Sequence, residues 1–304
     1  MQQFQDVADG LRFPEGPVAM PDGSIILVEI AAGRVTRILP DGSRQTVAEP
    51  GGGPNGLALG PDGMLYLCNN GGFGWLETGG LLIPHGTAAD YAGGSIQRID
   101  PATGSVETLY THVDGEPLKG PNDIVFDDAG GFWFTDHGKT RPRARDVVGV
   151  FYARADGSGI SEAIFPMENP NGIGLSPDGR TLYVAETYTA KLWAFDIESP
   201  GRVALQPGLA GGGGRFLYGA GGYTYFDSLG VDSAGNICVA TIGQGGISVV
   251  APDGALADFV ATPDPFTTNI CWGGADLRTA YITLSATGRL VSMAWPRPGH
   301  RLNF

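Results

Sequence analysis

NGLALGPDGMLYLCN, residues 55–69, is the stretch whose reading decides the fold. A short apolar run, a Pro-Asp-Gly turn and a second β-rich run together form a hairpin signature. The same pattern recurs as EGPVAMPDGSIILVE from Glu15, NDIVFDDAGGFWFTD from Asn122, NGIGLSPDGRTLYVAE from Asn171, DSLGVDSAGNICVAT from Asp227 and NICWGGADLRTAYITL from Asn269. In five copies a glycine follows the first residue by eight positions: Gly23, Gly63, Gly130, Gly179 and Gly235. In the sixth, Leu277 holds that place, after a related GGAD turn.

Each hairpin is followed by further strand-like sequence, among it GRVTRI, SIQRID, GVFYARA, KLWAFDI and GRLVSMAW. One unit therefore supplies about four strands, as a propeller blade does. The copies are separated by 40, 67, 49, 56 and 42 residues. A blade needs about 40–50 residues, so the longer intervals carry loop insertions. The expected fold is an all-β, six-bladed β-propeller with four-stranded blades, a single domain over residues 1–304. The sixth copy ends without an outer strand of its own, so residues 4–8 are expected to complete that blade and close the ring without an exposed edge.

Composition agrees with this reading and excludes others. Fifty glycines and 22 prolines among 304 residues indicate many turns, and an apolar content of 42% is enough for a core. A net charge of −13 repels polyanions, which argues against nucleic acid as a partner. Three cysteines, Cys68, Cys238 and Cys271, make no disulfide framework and read as small core residues. MQQFQDVADG has neither the basic nor the apolar region of a signal peptide, and no apolar run is long enough for a membrane helix, so the expected location is cytoplasmic, with no membrane partner. A monomer or small homo-oligomer is expected.

The inner strands of a propeller line its channel, so equivalent first residues form a ring. That ring is Glu15, Asn55, Asn122, Asn171, Asp227 and Asn269, and each member carries a side-chain oxygen. The second strand returns to the same face, giving a wider ring of Glu29, Asn69, Asp136, Glu186, Thr241 and Leu284. A single Asn at this position is ordinary turn chemistry. Six equivalent oxygen-bearing positions with two carboxylates are better explained by a hard cation, and Ca²⁺ accepts carboxylate and amide oxygens alike. The inner ring has no Cys or His, which disfavours zinc.

FPEGPVAMPDG, GPNDIVFDDAGGFWFTD, NPNGIGLSPDGRTLYVAET and DSLGVDSAGNICVA resemble the senescence-marker-protein, gluconolactonase and luciferin-regenerating-enzyme superfamily, across all six repeats. The resemblance implies a six-bladed propeller with one catalytic divalent metal in its channel and, in many members, lactone hydrolysis. It carries Glu15, Asn171 and Asp227 over as metal ligands, with Asn122 as a further ligand or substrate contact. One divalent ion is expected, Ca²⁺ first, with Mn²⁺, Mg²⁺ and Zn²⁺ as alternatives. The expected substrate is a small lactone or ester. In the expected reaction the cation polarises the carbonyl, water attacks, and Asp227 orients or deprotonates that water. Asp136 and His137 are candidates to assist, with a structural hydrogen bond as the competing reading of His137. Asn55, Asn122, Trp75 and Glu29 are expected on the substrate side. The alternatives are a phosphotriester or fluorophosphate hydrolase using the same metal, with Asp227 as nucleophile, and a non-catalytic ligand-binding propeller.

Three insertions emerge near these residues. GGFGWLETGGLLIPHGTAADYAGG, from Gly71, follows Asn69 and is expected at the channel mouth as a lid. HGKTRPRARD concentrates Lys139, Arg141, Arg143 and Arg145, either to attract a carboxylate-bearing substrate or as a solvated or subunit-facing loop. GLAGGGGRFLYGAGGYTYFD precedes Asp227 and lacks the Gly-Lys-Ser/Thr ending of a phosphate loop.

Overall fold

The computed structural model describes residues 4–208 and 211–304. Met1–Gln3, at the start of the stretch read for a signal peptide, and residues 209–210 of the third insertion lie outside them. Six antiparallel sheets are arranged in a ring, each built around one of the six repeats. In blade one, Pro14–Ala19, Ile25–Glu29, Arg34–Ile38 and Arg44–Ala48 pair in sequence order. Blade two inserts a separate two-stranded hairpin, Phe73–Thr78 with Leu81–Thr87, between its second and third strands. In blade four the outer edge is shared by two short strands, Arg202–Ala204 and Arg215–Gly219, both paired to Lys191–Ser199. The N-terminal strand Gln5–Ala8 pairs with Arg289–Ala294 and completes blade six, as the sequence predicts. Arg289 and Asp6 form an ion pair across this closure.

The apolar core lies between the blades. Strand alternation sends neighbouring side chains to opposite sheet faces, so each blade feeds two cores. Blade three shows this directly: Phe132 and Phe134 pack toward blade two beside Tyr66 and Cys68, while Trp133 packs toward blade four beside Trp193 and Phe195. All three aromatics are fully buried. Five turn glycines have left-handed backbones, from φ 68° at Gly179 to 84° at Gly23, and Leu277 is forced into the same region at φ 54°.

Beyond the last blade strand the chain continues across the end of the propeller opposite the hairpin openings. Arg297 pairs with the fully buried Asp232, and Asn303 donates to the carbonyl of Phe126, where the blade-three inner strand ends. Among the described residues, no helix is long and apolar enough to cross a membrane.

Candidate active site

Every inner strand begins with the same irregularity. Pro14 pairs with Glu29, Pro54 with Asn69, Pro121 with Asp136 and Pro170 with Glu186, and the register slips before the next paired residue in blades two, three and four and one pair later, after Glu15↔Val28, in blade one. The slips follow at Glu15/Val18, Leu57, Ile124 and Ile173, and blades five and six repeat them at Phe226/Leu229 and Thr267/Asn269. A bulge of this kind re-aims one side chain and frees it from the ladder. Here it spans the predicted inner-ring residue in blades two to five, and in blades one and six it lies directly beside Glu15 and Asn269, which stay paired with Val28 and Thr283. The residue after the ring position is glycine where adjacent strands crowd: a Cβ on Gly56 would meet the Asn122 carbonyl at 2.4 Å, and one on Gly172 the Asp227 carbonyl at 2.6 Å. Close approach of the inner strands therefore requires Gly in the PNG motif.

Glu15, Asn55, Asn122, Asn171 and Asn269 are all buried, and Asp227 is partly buried. Glu15 Oε2 accepts hydrogen bonds from Asn269 Nδ2 at 2.7 Å and from the Gly16 N–H. Asn269 is itself fixed by accepting the Ile270 N–H at 2.7 Å. Asn171 donates its amide to Thr187 Oγ1 at 3.1 Å. Glu15 Oε1, Asn122 Oδ1 and Asn171 Oδ1 are buried and accept nothing. An unpaired buried oxygen is costly, and three of them on one ring match the oxygen set that a hard divalent cation takes. Among the described residues, no three Asp, Glu, His or Cys side chains cluster to hold a metal by themselves, so such an ion would depend on amide oxygens as well.

The structure adds a carboxylate that the motif reading passed over. Asp123 occupies the post-ring position that is glycine in blades one, two and four. It is buried, accepts the N–H of Ile124 at 3.0 Å, and reaches the N–H of Ile173 in the next blade at 3.4 Å. Burial pushes its carboxyl up to about 7. Asp227 is likewise raised to about 7, by burial and by the charge of Asp123, against the opposing hydrogen bond of Asn171. Glu15 is raised well above the ordinary range, by burial first and then by Asp227 and Asp123. The charge of Asp123 acts on both Asp227 and Glu15, and that of Asp227 on Glu15, so the three carboxylates form one electrostatic unit, short of positive charge. The available signal was positional: an acid where the repeats otherwise keep glycine.

The outer ring turns out to be a set of clamps. Glu29 accepts Arg12 N–H, Arg34 and Thr36, and is fully buried. Asn69 accepts Gly53 N–H at 2.9 Å, Asp136 accepts Lys119 and Gly120 N–H at 2.7 Å each, and Glu186 accepts Glu168 N–H at 2.9 Å. In each case the donor lies two or three residues ahead of that blade's own inner-ring residue. The outer residue thus fixes the segment that delivers the inner one. Leu284 has no polar atom for this, and in blade six Asp264 takes over by accepting Phe266 and Thr287 N–H. Glu29 therefore has no oxygen left for a substrate, contrary to the sequence expectation. Asp136 is committed in the same way, with a third bond from the Gly138 N–H.

His137 stacks on Tyr188 with ring centroids 5.8 Å apart, and its Nδ1 is enclosed without a partner. Burial, helped by the charges of Lys139 and Arg145, lowers its pKa, so the imidazole is neutral at neutral pH. Trp75 lies on the inserted hairpin, half-buried, packed against Phe13 at 5.1 Å and Phe73 at 6.1 Å. That hairpin reaches from blade two to blade six, where Leu82 N–H donates to the Ala286 carbonyl at 2.9 Å, and touches blade three through Thr87 and Thr140. Lys139 is buried and anchors the same insertion: Nζ donates to Asn70 Oδ1 at 3.1 Å and the Gly72 carbonyl at 2.9 Å, over the ring of Phe73. It is a tie between two mouth loops rather than part of a free basic surface.

Residues 13–286 match the SMP-30/Gluconolactonase/LRE-like family. The chain belongs to that family. It is 26% identical over 293 residues to a gluconolactonase of Zymomonas mobilis, covering 88% of this chain and 75% of that protein. It is 30% identical over 245 residues to the lactonase drp35 of Staphylococcus aureus, covering 79% of this chain and 65% of that one, so the chain spans just under two thirds of the latter's length. Among solved structures, a gluconolactonase from Xanthomonas campestris superposes with a TM-score of 0.75 at 22% identity, covering 97% and 90% of the two chains. The calcium-binding protein regucalcin from Agrobacterium tumefaciens gives 0.73 at 19% identity, covering 99% and 98%. At these identities the two structures establish the shared propeller alone.

Proposed function

We propose that this chain opens a lactone ring by hydrolysis, with one divalent cation held by Glu15, Asn122, Asn171 and Asp227. The observation that carries the reading is the set of three buried oxygens without donors, on Glu15, Asn122 and Asn171, on the same ring as the partly buried carboxylate of Asp227. The lactonases among its relatives supply the reaction class. Two carboxylates balance a divalent charge, and the amides add oxygens without adding charge, which favours Ca²⁺. A cation bound there would polarise the lactone carbonyl and stabilise the negative charge developing on its oxygen.

The protein's own residues perform the rest. Asp227 takes the proton from the attacking water as the new C–O bond forms, and returns it to the ring oxygen as the old C–O bond breaks. Asp123, close enough to raise the pKa of Asp227, steadies that proton on the pair. Asn269 holds Glu15 in one orientation. Asn55 and Asn122 orient the lactone from the inner ring, and the inserted hairpin with Trp75 limits water at the mouth.

The test is turnover of a lactone panel by chelator-stripped protein with Ca²⁺, Mn²⁺, Mg²⁺ or Zn²⁺ restored singly, with paraoxon-type esters alongside. Metal-dependent lactone opening that falls at least about a hundredfold in Asp227→Ala is the expected result. Full activity in that variant, or in the stripped protein, overturns the assignment.

A further inference from the structure

Four of the 19 Lys and Arg residues of this acidic chain fall between 139 and 145. The structure separates their roles. Lys139 is buried in the tie to Asn70 and Gly72, and Arg141 pairs with Asp146 at 2.8 Å. Asp146 also accepts the Lys139 N–H, which closes the base of the loop. The small hairpin pairs Thr140 with Arg145 and Arg141 with Ala144, so Arg145 is held in register by a fixed base. Arg145 forms no ion pair with a carboxylate among the described residues. Its guanidinium lies 4.1 Å from the centre of the Tyr188 ring.

Tyr188 connects this cation to the inner ring. It stacks on His137 and meets Tyr225 edge-on at 5.9 Å. Tyr225 precedes Asp227 by two residues on the same inner strand. Arg145 is exposed and Tyr188 is 42% exposed, so this wall faces solvent at the mouth. A guanidinium resting on an aromatic face keeps its N–H edge free, and that edge matches a carboxylate bidentately. His137 is neutral here, so within the stack of Arg145, Tyr188 and His137 the positive charge belongs to Arg145.

We infer that Arg145, presented on Tyr188, recognises a carboxylate carried by the lactone at the end remote from the ester being cleaved. The inference rests on the lactonase reading above and deepens it: the favoured substrate is an anionic lactone. Such a substrate is repelled by a protein of net charge −13, and a local cation at the mouth reverses that field where the ligand enters. Arg145 contributes to binding and takes no part in bond breaking.

The experiment uses the full chain at fixed free Ca²⁺ with two lactones that differ by a carboxylate in place of a hydroxymethyl group. The wild type is expected to favour the anionic lactone by about tenfold in kcat/KM at low salt, and less at 0.5 M salt. Arg145→Gln is expected to abolish the preference through KM, leaving kcat and the neutral lactone unchanged, while Arg145→Lys restores part of it. Equal effects of Arg145→Gln on both lactones, or none on either, overturn the inference. In parallel, calorimetry compares glucarate, a dicarboxylate, with gluconate, a monocarboxylate, as ligands. A dicarboxylate preference that disappears in Arg145→Gln supports the inference, and a ratio unchanged by the substitution refutes it. If neither lactone is opened with any metal, the lactonase reading fails and calorimetry still decides the role of Arg145. If both are opened without an Arg145-dependent difference, this inference fails alone.

Discussion

Asp123→Asn in metal-stripped protein removes one of three mutually repelling carboxyls while keeping its shape. The Asp123 carboxyl is raised from 3.8 to about 7, mainly by burial. A carboxyl whose folded pKa lies above its unfolded value contributes stability that is fully present below the unfolded pKa. That stability is lost as pH rises through the folded value. With about 1.36 kcal/mol per pH unit, the loss is about 1.6 kcal/mol at pH 5 and about 4 kcal/mol by pH 8. Asn cannot ionise, so it escapes this loss. It gives up the weak 3.4 Å acceptor toward Ile173, at a cost of about 1 kcal/mol that does not vary with pH. Relative to wild type, the variant is therefore expected to gain about 2–3 kcal/mol between pH 5 and pH 8. Urea unfolding of both proteins in chelator, at the two pH values and with comparable m-values, reads this directly. A stability difference that is the same at both pH values, or one that turns against the variant at pH 8, would refute the claim that these buried carboxylates need a cation.

Two further outcomes follow from the packing. Lys139→Met removes the ammonium donor that Asn70 Oδ1 and the Gly72 carbonyl share, leaving them the Gly72 and Ala88 N–H groups, at a cost of about 1 kcal/mol, and loosens the inserted hairpin. Limited proteolysis read by mass spectrometry should show faster cutting between residues 70 and 94, and an unchanged pattern would contradict the tie. Leu277→Gly relieves a left-handed backbone at φ 54°, worth about 1 kcal/mol before the entropy of glycine is subtracted, so thermal unfolding should shift slightly upward rather than downward.

The six blades were legible because a glycine eight residues into five of the copies, and the related GGAD turn before Leu277 in the sixth, marks a turn whose register sets everything else in the hairpin. The closing strand was legible because the sixth copy lacked an outer edge and the chain began with one to spare. The inner ring was legible for the same reason: equivalence in a repeat becomes equivalence in height along the channel. Asp123 was hidden because it reads as the second residue of a strand, and only the bulge turns it inward. The clamping bonds of Glu29 and Asp136 were not legible because the N–H groups they hold, Arg12 for Glu29 and Lys119 and Gly120 for Asp136, lie far upstream and no side-chain motif announces them. Lys139 was counted with a basic loop, although burial against Phe73 and Tyr91 gives it a different role from Arg145, six residues away.

The most direct test of the account is a calorimetric titration of Ca²⁺ into chelator-stripped protein. One ion per chain is expected for the wild type, weaker binding for Asn171→Ala, and no binding heat for the folded Glu15→Gln/Asp227→Asn double variant. Unaltered binding in the double variant, or no ion bound by the wild type, would contradict the claim that the inner-ring oxygens are a cation site.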